Sequence, residues 1–185
     1  LITGDAVAPG DALVGLASPG LRSNGFSLAR AVLIDPDDPA GSLAAAAYAD
    51  APAGPSVADE LLCPSVIYAP AIMAMLAEAP VHSIAHITGG GLVGNLPRAM
   101  PEGTEARLDP TTWERPPIVS EIARRGNVAE DELRRVFNLG IGMVVATPNP
   151  DLVIAAARSV DTAGAVIGEV ARAVGTPQVH FTSDI

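Results

Sequence analysis

The 185 residues contain no lysine, and all eleven basic side chains are arginines. A Walker-type phosphate loop, whose lysine reaches the outer phosphates, is therefore excluded, as is any chemistry that needs a Schiff base. Phosphate, if the chain holds it, has to be held by backbone N–H groups, arginines or a metal. Cysteine is nearly absent too. Cys63 stands alone, which rules out an internal disulfide and a cysteine-built zinc site, fits a reducing compartment, and reads most simply as a buried inert thiol. No apolar run approaches the roughly 20 residues that span a bilayer. The start, LITGDAV, has neither a methionine nor a basic-then-apolar leader pattern. The expectation is a cytoplasmic protein with no membrane partner, cut from something longer.

What is present is a globular composition. Hydrophobic residues make up 49% and charged residues 17%, far from the polar, highly charged make-up of disordered chains. A chain of this length builds one substantial domain that buries roughly 70% of its unfolded surface. The net charge of −10 argues against a nucleic-acid partner, because a polyanion is gripped by clustered cations.

Along the chain, apolar runs at Ala12 to Ala17, Val81 to Thr88, Glu105 to Asp109, Ile141 to Thr147, Ala163 to Val170 and Gln178 to Thr182 read as strands. Helical spacing covers Phe26 to Ile34, Ser65 to Glu78, Pro116 to Arg125, Ala129 to Phe137 and Pro150 to Arg158. A short helix is expected in the alanine-rich segment between surface loops at Asp35 to Gly41 and Ala51 to Pro55. Ser56 and Asp59 have the spacing of a capping box, and Asn127 with Glu130 reads as another helix start. On the Ser65 to Glu78 helix, Val66, Ile67, Met73 and Leu76 are the expected core face. The elements are mixed without regular βαβ spacing, which is an α+β pattern, and no internal repeat is visible.

Three stretches carry chemistry. HITGGGLVGN, from His86 to Asn95, contains a literal G-x-G-x-x-G at Gly89 to Gly94. It admits three readings: a dinucleotide fingerprint, a phosphate nest of backbone amides, or a structural turn. The dinucleotide reading needs a long following helix, a parallel strand and an acidic residue about 20 positions on. Asp109 stands near that distance, but Pro97 and Pro101 allow at most about two helical turns. SPGLRSNGFSL, from Ser18 to Leu28, is a second strand-to-helix loop in which Ser23 and Asn24 either cap the helix or face a ligand. FNLGIGM, from Phe137 to Met143, sets Asn138 before glycines at alternate strand positions, a mark of close packing or of ligand approach. His86 is the histidine beside these loops. His82 and His180 have no metal-ligating neighbours in sequence, so no metal site is expected on this chain.

Taken together, GLRSNGFSL, HITGGGLVGNLPR and FNLGIGM, in that order, resemble the C-terminal half of phosphoribosylformylglycinamidine cyclo-ligase, also called aminoimidazole ribonucleotide synthetase. PGDALVGL, LLCPSVIY and Trp113 before PPI extend the likeness over nearly the whole chain. The resemblance implies a three-layer α/β/α domain with a mixed sheet, partnered by an N-terminal domain that brings the acidic ligands of Mg2+, much of the ATP site and most of a homodimer interface. It also implies ATP-dependent closure of formylglycinamidine ribonucleotide to aminoimidazole ribonucleotide in purine biosynthesis, with the isolated half inactive.

On that resemblance, Thr88, Gly89, Gly90 and Gly91 are expected to hold a phosphate, Ser23, Asn24 and Gly25 to orient the reacting amide or the nucleotide, and Asn95 and Asn138 to join the binding surface. His86 and Asn24 are the candidate catalytic residues. Arg22 stands where the family has histidine, so that histidine's proton transfer is not carried over, though a guanidinium also binds phosphate, bidentately. Related two-domain ATP enzymes and a G-x-G-x-x-G oxidoreductase module are the alternatives.

Overall fold

The computed structural model describes residues 1–182. Its strands are β1 (Ala12–Ala17), β2 (Ser83–His86), β3 (Thr104–Leu108), β4 (Ile141–Thr147), β5 (Gly164–Arg172) and β6 (Gln178–Phe181). The α-helices are α1 (Phe26–Leu33), α2 (Pro39–Ala44), α3 (Val57–Leu61), α4 (Ala69–Glu78), α5 (Gly91–Asn95), α6 (Pro117–Gly126), α7 (Glu130–Val136) and α8 (Pro150–Arg158). The strands form one sheet in the order β2-β4-β1-β5-β3-β6, parallel between β3 and β6 and otherwise antiparallel. The most apolar strands, β1 and β4, occupy its interior, where both faces are covered.

Side-chain alternation divides that burial between two cores. Leu13, Ala85, Val144, Ala146 and Ile167 face α5 and the 3-10 turn Leu96–Ala99, while Val14, Leu16 and Val145 face α4 and α8. The expected three-layer α+β arrangement with a mixed sheet is the one observed. A third cluster contains no strand residue. It packs Ala29 and Leu33 of α1 and Val57 of α3 against Ile118 and Ile122 of α6, Leu133 of α7 and Phe137. Each such fully buried large side chain contributes on the order of 1.5–3 kcal/mol.

Four expectations need correction. The long helix starts at Ala69, not Ser65, because Pro70 is tolerated only in a first turn and its ring would clash with the carbonyl four residues back in a longer helix. Its buried face is Ala71 and Met75, while Ile67, Met73 and Leu76 are exposed and Val66 is half-buried. Asn127 does not open α7. It ends α6 in the left-handed conformation, at φ 46, which asparagine tolerates better than most residues, and its N–H donates to the Ala123 carbonyl. Finally, α2 begins inside the expected loop, at Pro39, where the Asp38 carboxylate accepts the Gly41 N–H at 2.9 Å. The Ser56–Asp59 capping box forms as expected.

Candidate functional site

The three sequence stretches meet at one end of the β2–β4 pair. Between β1 and β4, Leu16 pairs with Met143 and Ala17 with Ile141, leaving Gly142 as an extra residue in a bulge. Its carbonyl accepts the Ile87 N–H at 3.0 Å and an Arg22 Nη1 N–H at 3.2 Å. Arg22 Nη1 also donates to the Ile87 carbonyl at 3.1 Å, so one guanidinium clamps the ends of both strands. Gly142 has to be glycine, since a Cβ there would lie 2.0 Å from the Tyr68 hydroxyl oxygen.

Tyr68 is the participant that sequence reasoning missed. It is buried, its hydroxyl donates to the Ala17 carbonyl at 2.7 Å, and its ring lies under the Arg22 guanidinium at 5.7 Å. Burial raises its phenol pKa, with Ser18 and Arg22 opposing the shift. The sequence signal was the YAP step into α4, but a helix-entry tyrosine does not announce a contact with residues 46 positions upstream.

Arg22 also holds His86, through Nη2 to Nε2. A guanidinium only donates, so Nε2 is the acceptor and the remaining ring proton sits on Nδ1. Burial, and then the Arg22 charge, lowers the His86 pKa below the ordinary imidazole value. His86 thus presents a hydrogen-bond donor to its surroundings, not a free base. Arg22 makes these contacts from a left-handed backbone, φ 57, a cost of about 1–2 kcal/mol that the clamp offsets.

The glycine loop follows directly. Gly90 is left-handed, at φ 101, and caps α5, which is only five residues long. Gly91 passes so close to α7 that a Cβ would meet the Arg134 carbonyl oxygen at 2.0 Å. Asn95 is buried and turns back into the loop. Its Nδ2 donates to the carbonyls of Gly91 at 2.8 Å, Gly89 at 3.1 Å and Thr88 at 3.3 Å, and its Oδ1 accepts the Thr88 hydroxyl at 3.1 Å. With the carbonyls drawn inward, the amides of Gly89 and Gly90 find no acceptor among the described residues, whereas Gly91 N–H is spent on Thr88. Gly89 is exposed and faces Asn24, whose Oδ1 would stand 3.9 Å from a Cβ at that glycine.

Of the other sequence candidates, Ser23 is exposed at the loop tip. Gly25 has a positive φ of 73, and a Cβ there would run into the Phe137 ring. Asn138 lies apart from the loop surface: it is buried, donates to Ser18 Oγ at 3.1 Å and accepts the Gly140 N–H at 3.1 Å, holding the turn before β4. Asn95 and Asn138 therefore shape loops from within.

A cavity of about 640 Å3, bounded in part by Ser18, Gly20, Cys63, Trp113, Arg115 and Gly140, opens elsewhere and takes in none of the glycine loop. Two of its polar side chains are already engaged: Trp113 Nε1 donates to the Leu139 carbonyl at 2.9 Å, and Arg115 pairs with Glu130. The unpaired amides make the glycine loop the stronger candidate for an anion. Among the described residues no group of three or more His, Cys, Asp or Glu side chains is placed to hold a metal.

The dinucleotide reading fails on this geometry. β2 runs antiparallel to its neighbour β4, the helix after the glycines is five residues long, and Asp109 is occupied with capping Thr111.

A sheet of this order between helical layers places the chain in a fold class shared with solved proteins. Thiamine-monophosphate kinase from Stenotrophomonas maltophilia K279a superposes with a TM-score of 0.55 at 19% identity, over 98% of this chain and 52% of that one. The hydrogenase maturation protein HypE of E. coli does so with a TM-score of 0.57 at 18% identity, over 95% and 48%. At such identities the likeness is one of fold. The family follows from sequence: residues 8–179 match the family described as AIR synthase related protein, C-terminal domain, and the chain belongs to it. Proteins named phosphoribosylformylglycinamidine cyclo-ligase are 48% identical over 97% of the chain in Symbiobacterium thermophilum, 43% over 93% in Geotalea daltonii and 47% over 82% in Myxococcus xanthus. The chain spans about half the length of these relatives, 51%, 49% and 43% respectively.

Proposed function

We propose that this chain is the C-terminal half of a cyclo-ligase that closes formylglycinamidine ribonucleotide to aminoimidazole ribonucleotide in purine biosynthesis, working in the cytoplasm with an N-terminal companion domain. The observation that carries the reading is the glycine loop, whose carbonyls are tied inward by Asn95 while two neighbouring amides, Gly89 and Gly90, have no acceptor among the described residues. The 48% identity to a protein of that name supports it.

ATP supplies the phosphoryl group that activates the formyl oxygen, after which a substrate nitrogen attacks that carbon and phosphate departs. Such chemistry relies on positioning and on neutralising phosphoryl charge, for which fixed backbone donors serve without lysine. The Gly89 and Gly90 amides hold a phosphate, Asn24 faces it from the opposite loop, and His86 offers its Nδ1–H donor beside them. Arg22 keeps His86 in that tautomer and ties the loop to β4. The acidic groups that hold Mg2+ come from the companion domain.

The test uses the complete two-domain polypeptide. Gly89→Ala is sterically clean, with only Asn24 Oδ1 near the new methyl group, yet it intrudes on the space facing the amides. A KM for substrate or ATP raised at least tenfold, with unchanged circular dichroism, is the expected result. Unaltered kinetics remove the loop from the phosphate role, and a wild-type protein that releases no phosphate with formylglycinamidine ribonucleotide and ATP sinks the reaction itself.

A further inference from the structure

Three of the residues that sequence periodicity assigned to the core of the long helix, Ile67, Met73 and Leu76, are exposed in this chain. α4 reads APAIMAMLAE and carries no charge before its last residue. One face, Ala71 and Met75, is fully buried against the sheet and α8. On the opposite face Met73 is 68% exposed and Leu76 41%, and in the segment leading into the helix Leu62 is 77% and Ile67 80% exposed. A helix that is apolar all round belongs in an interior, and such a patch on one surface marks a contact site.

We propose that this face of α4, with Leu62 and Ile67, is the seat on which the companion half of the polypeptide docks. The inference rests on the two-domain reading above and adds to it the surface through which the halves meet. Two observations select the occupant. The relatives carry about as much chain again as is present here, so a second body to cover this face is available in the same molecule. Four large exposed side chains also fall well short of the roughly 20–30 residues a side of a free-standing complex. A tethered partner, held at millimolar effective concentration, needs less contact than a second free copy.

The position has a functional consequence. Ile67 adjoins Tyr68, whose ring supports Arg22 and through it His86. A body seated on Ile67 and Met73 therefore comes to rest beside the corner where the glycine loop, Asn24 and His86 converge, and its own groups face that corner across a cleft.

Methionine oxidation reads this directly in the full two-domain protein. With hydrogen peroxide and peptide mass spectrometry, Met73 should oxidise at least tenfold more slowly in the native protein than in the same protein unfolded in urea. Met75, buried within this chain, is the internal check that the fold is intact. With Met75 protected, a native Met73 rate within twofold of the unfolded rate overturns the proposal. Protection that disappears when the protein is diluted to a monomer by analytical ultracentrifugation also overturns it, because a second copy is then the cover. Ring-closure activity measured on the same preparation separates the two readings. A protected Met73 without turnover leaves the docking surface and removes the reaction, and turnover with an unprotected Met73 does the reverse.

Discussion

Arg22 and His86, 64 residues apart in sequence, are joined side chain to side chain, the guanidinium donating to the imidazole Nε2. The contact couples the SNGFSL loop to the strand that delivers the glycines, and it fixes the sign of the pH response. His86 has a folded pKa below its unfolded value of about 6.5. Its contribution to stability is therefore complete above the unfolded value and is lost as pH falls through the depressed one. Arg22→Met removes the second cause of that depression and leaves burial. NMR titration of the His86 ring proton should show its midpoint move upward, and an unmoved midpoint would mean that the guanidinium and the ring are electrostatically independent.

Within the G-x-G-x-x-G letters, the glycines are not equivalent. Gly91→Ala sets a methyl carbon 2.0 Å from the Arg134 carbonyl oxygen at φ 62, and overpacking against backbone should cost at least about 1–3 kcal/mol. A Cβ on Gly94 meets nothing within 4 Å, so Gly94→Ala in the α5 turn should be neutral or stabilising by up to about 1 kcal/mol. Urea titration of both variants compares them, and equal losses would contradict the packing described for Gly91.

Asn95 is expected to behave as a strut. Asn95→Ala removes the side-chain donor to the carbonyls of Thr88, Gly89 and Gly91 and should cost about 1–3 kcal/mol. Asn95→Asp places acceptors against acceptors and should cost more, although the side chains are nearly the same size. If thermal unfolding ranks the two variants the other way round, the inward donation by Nδ2 is wrong.

At the bulge, Gly142→Ala forces a methyl group into the Tyr68 ring, with the phenol oxygen 2.0 Å and its ring carbon 2.6 Å away. Displacing Tyr68 should cost about 1–3 kcal/mol and alter the near-ultraviolet circular dichroism of that tyrosine. Tyr68→Phe keeps the ring and loses one hydrogen bond, a smaller loss of about 0.5–1.5 kcal/mol.

Much of the fold was legible. β1 and β4 were readable as unbroken apolar runs, the Ser56–Asp59 cap as a local spacing, and α8 as Asn-Pro followed by helical periodicity, because each depends on neighbours in sequence. Sheet order was not legible, since β1 pairs with strands more than 120 positions away. Asn127 misled because the same side chain serves a helix start and a left-handed stop, and only the backbone angle separates them. The outward face of α4 misled because periodicity reports which residues avoid water without naming what shields them. Among the candidate site residues, the fold brings together Arg22, Asn24 and Gly89 from two loops and His86 from the end of β2. Asn95 and Asn138, read in sequence as ligand groups, have their side chains bonded to neighbouring backbone and to Thr88 and Ser18, contacts that the letter asparagine does not announce. Tyr68 left only the YAP step into α4, which says nothing of its contacts with Ala17 and Arg22.

The way Asn95 ties the glycine turn from inside has a kinetic corollary. On the phosphate role proposed for this loop, a turn tied in place without its ligand has no ordering step to wait for, so an arriving oxyanion should associate at a rate set by encounter alone. Differences in affinity among phosphate-bearing molecules would then appear in how quickly each escapes.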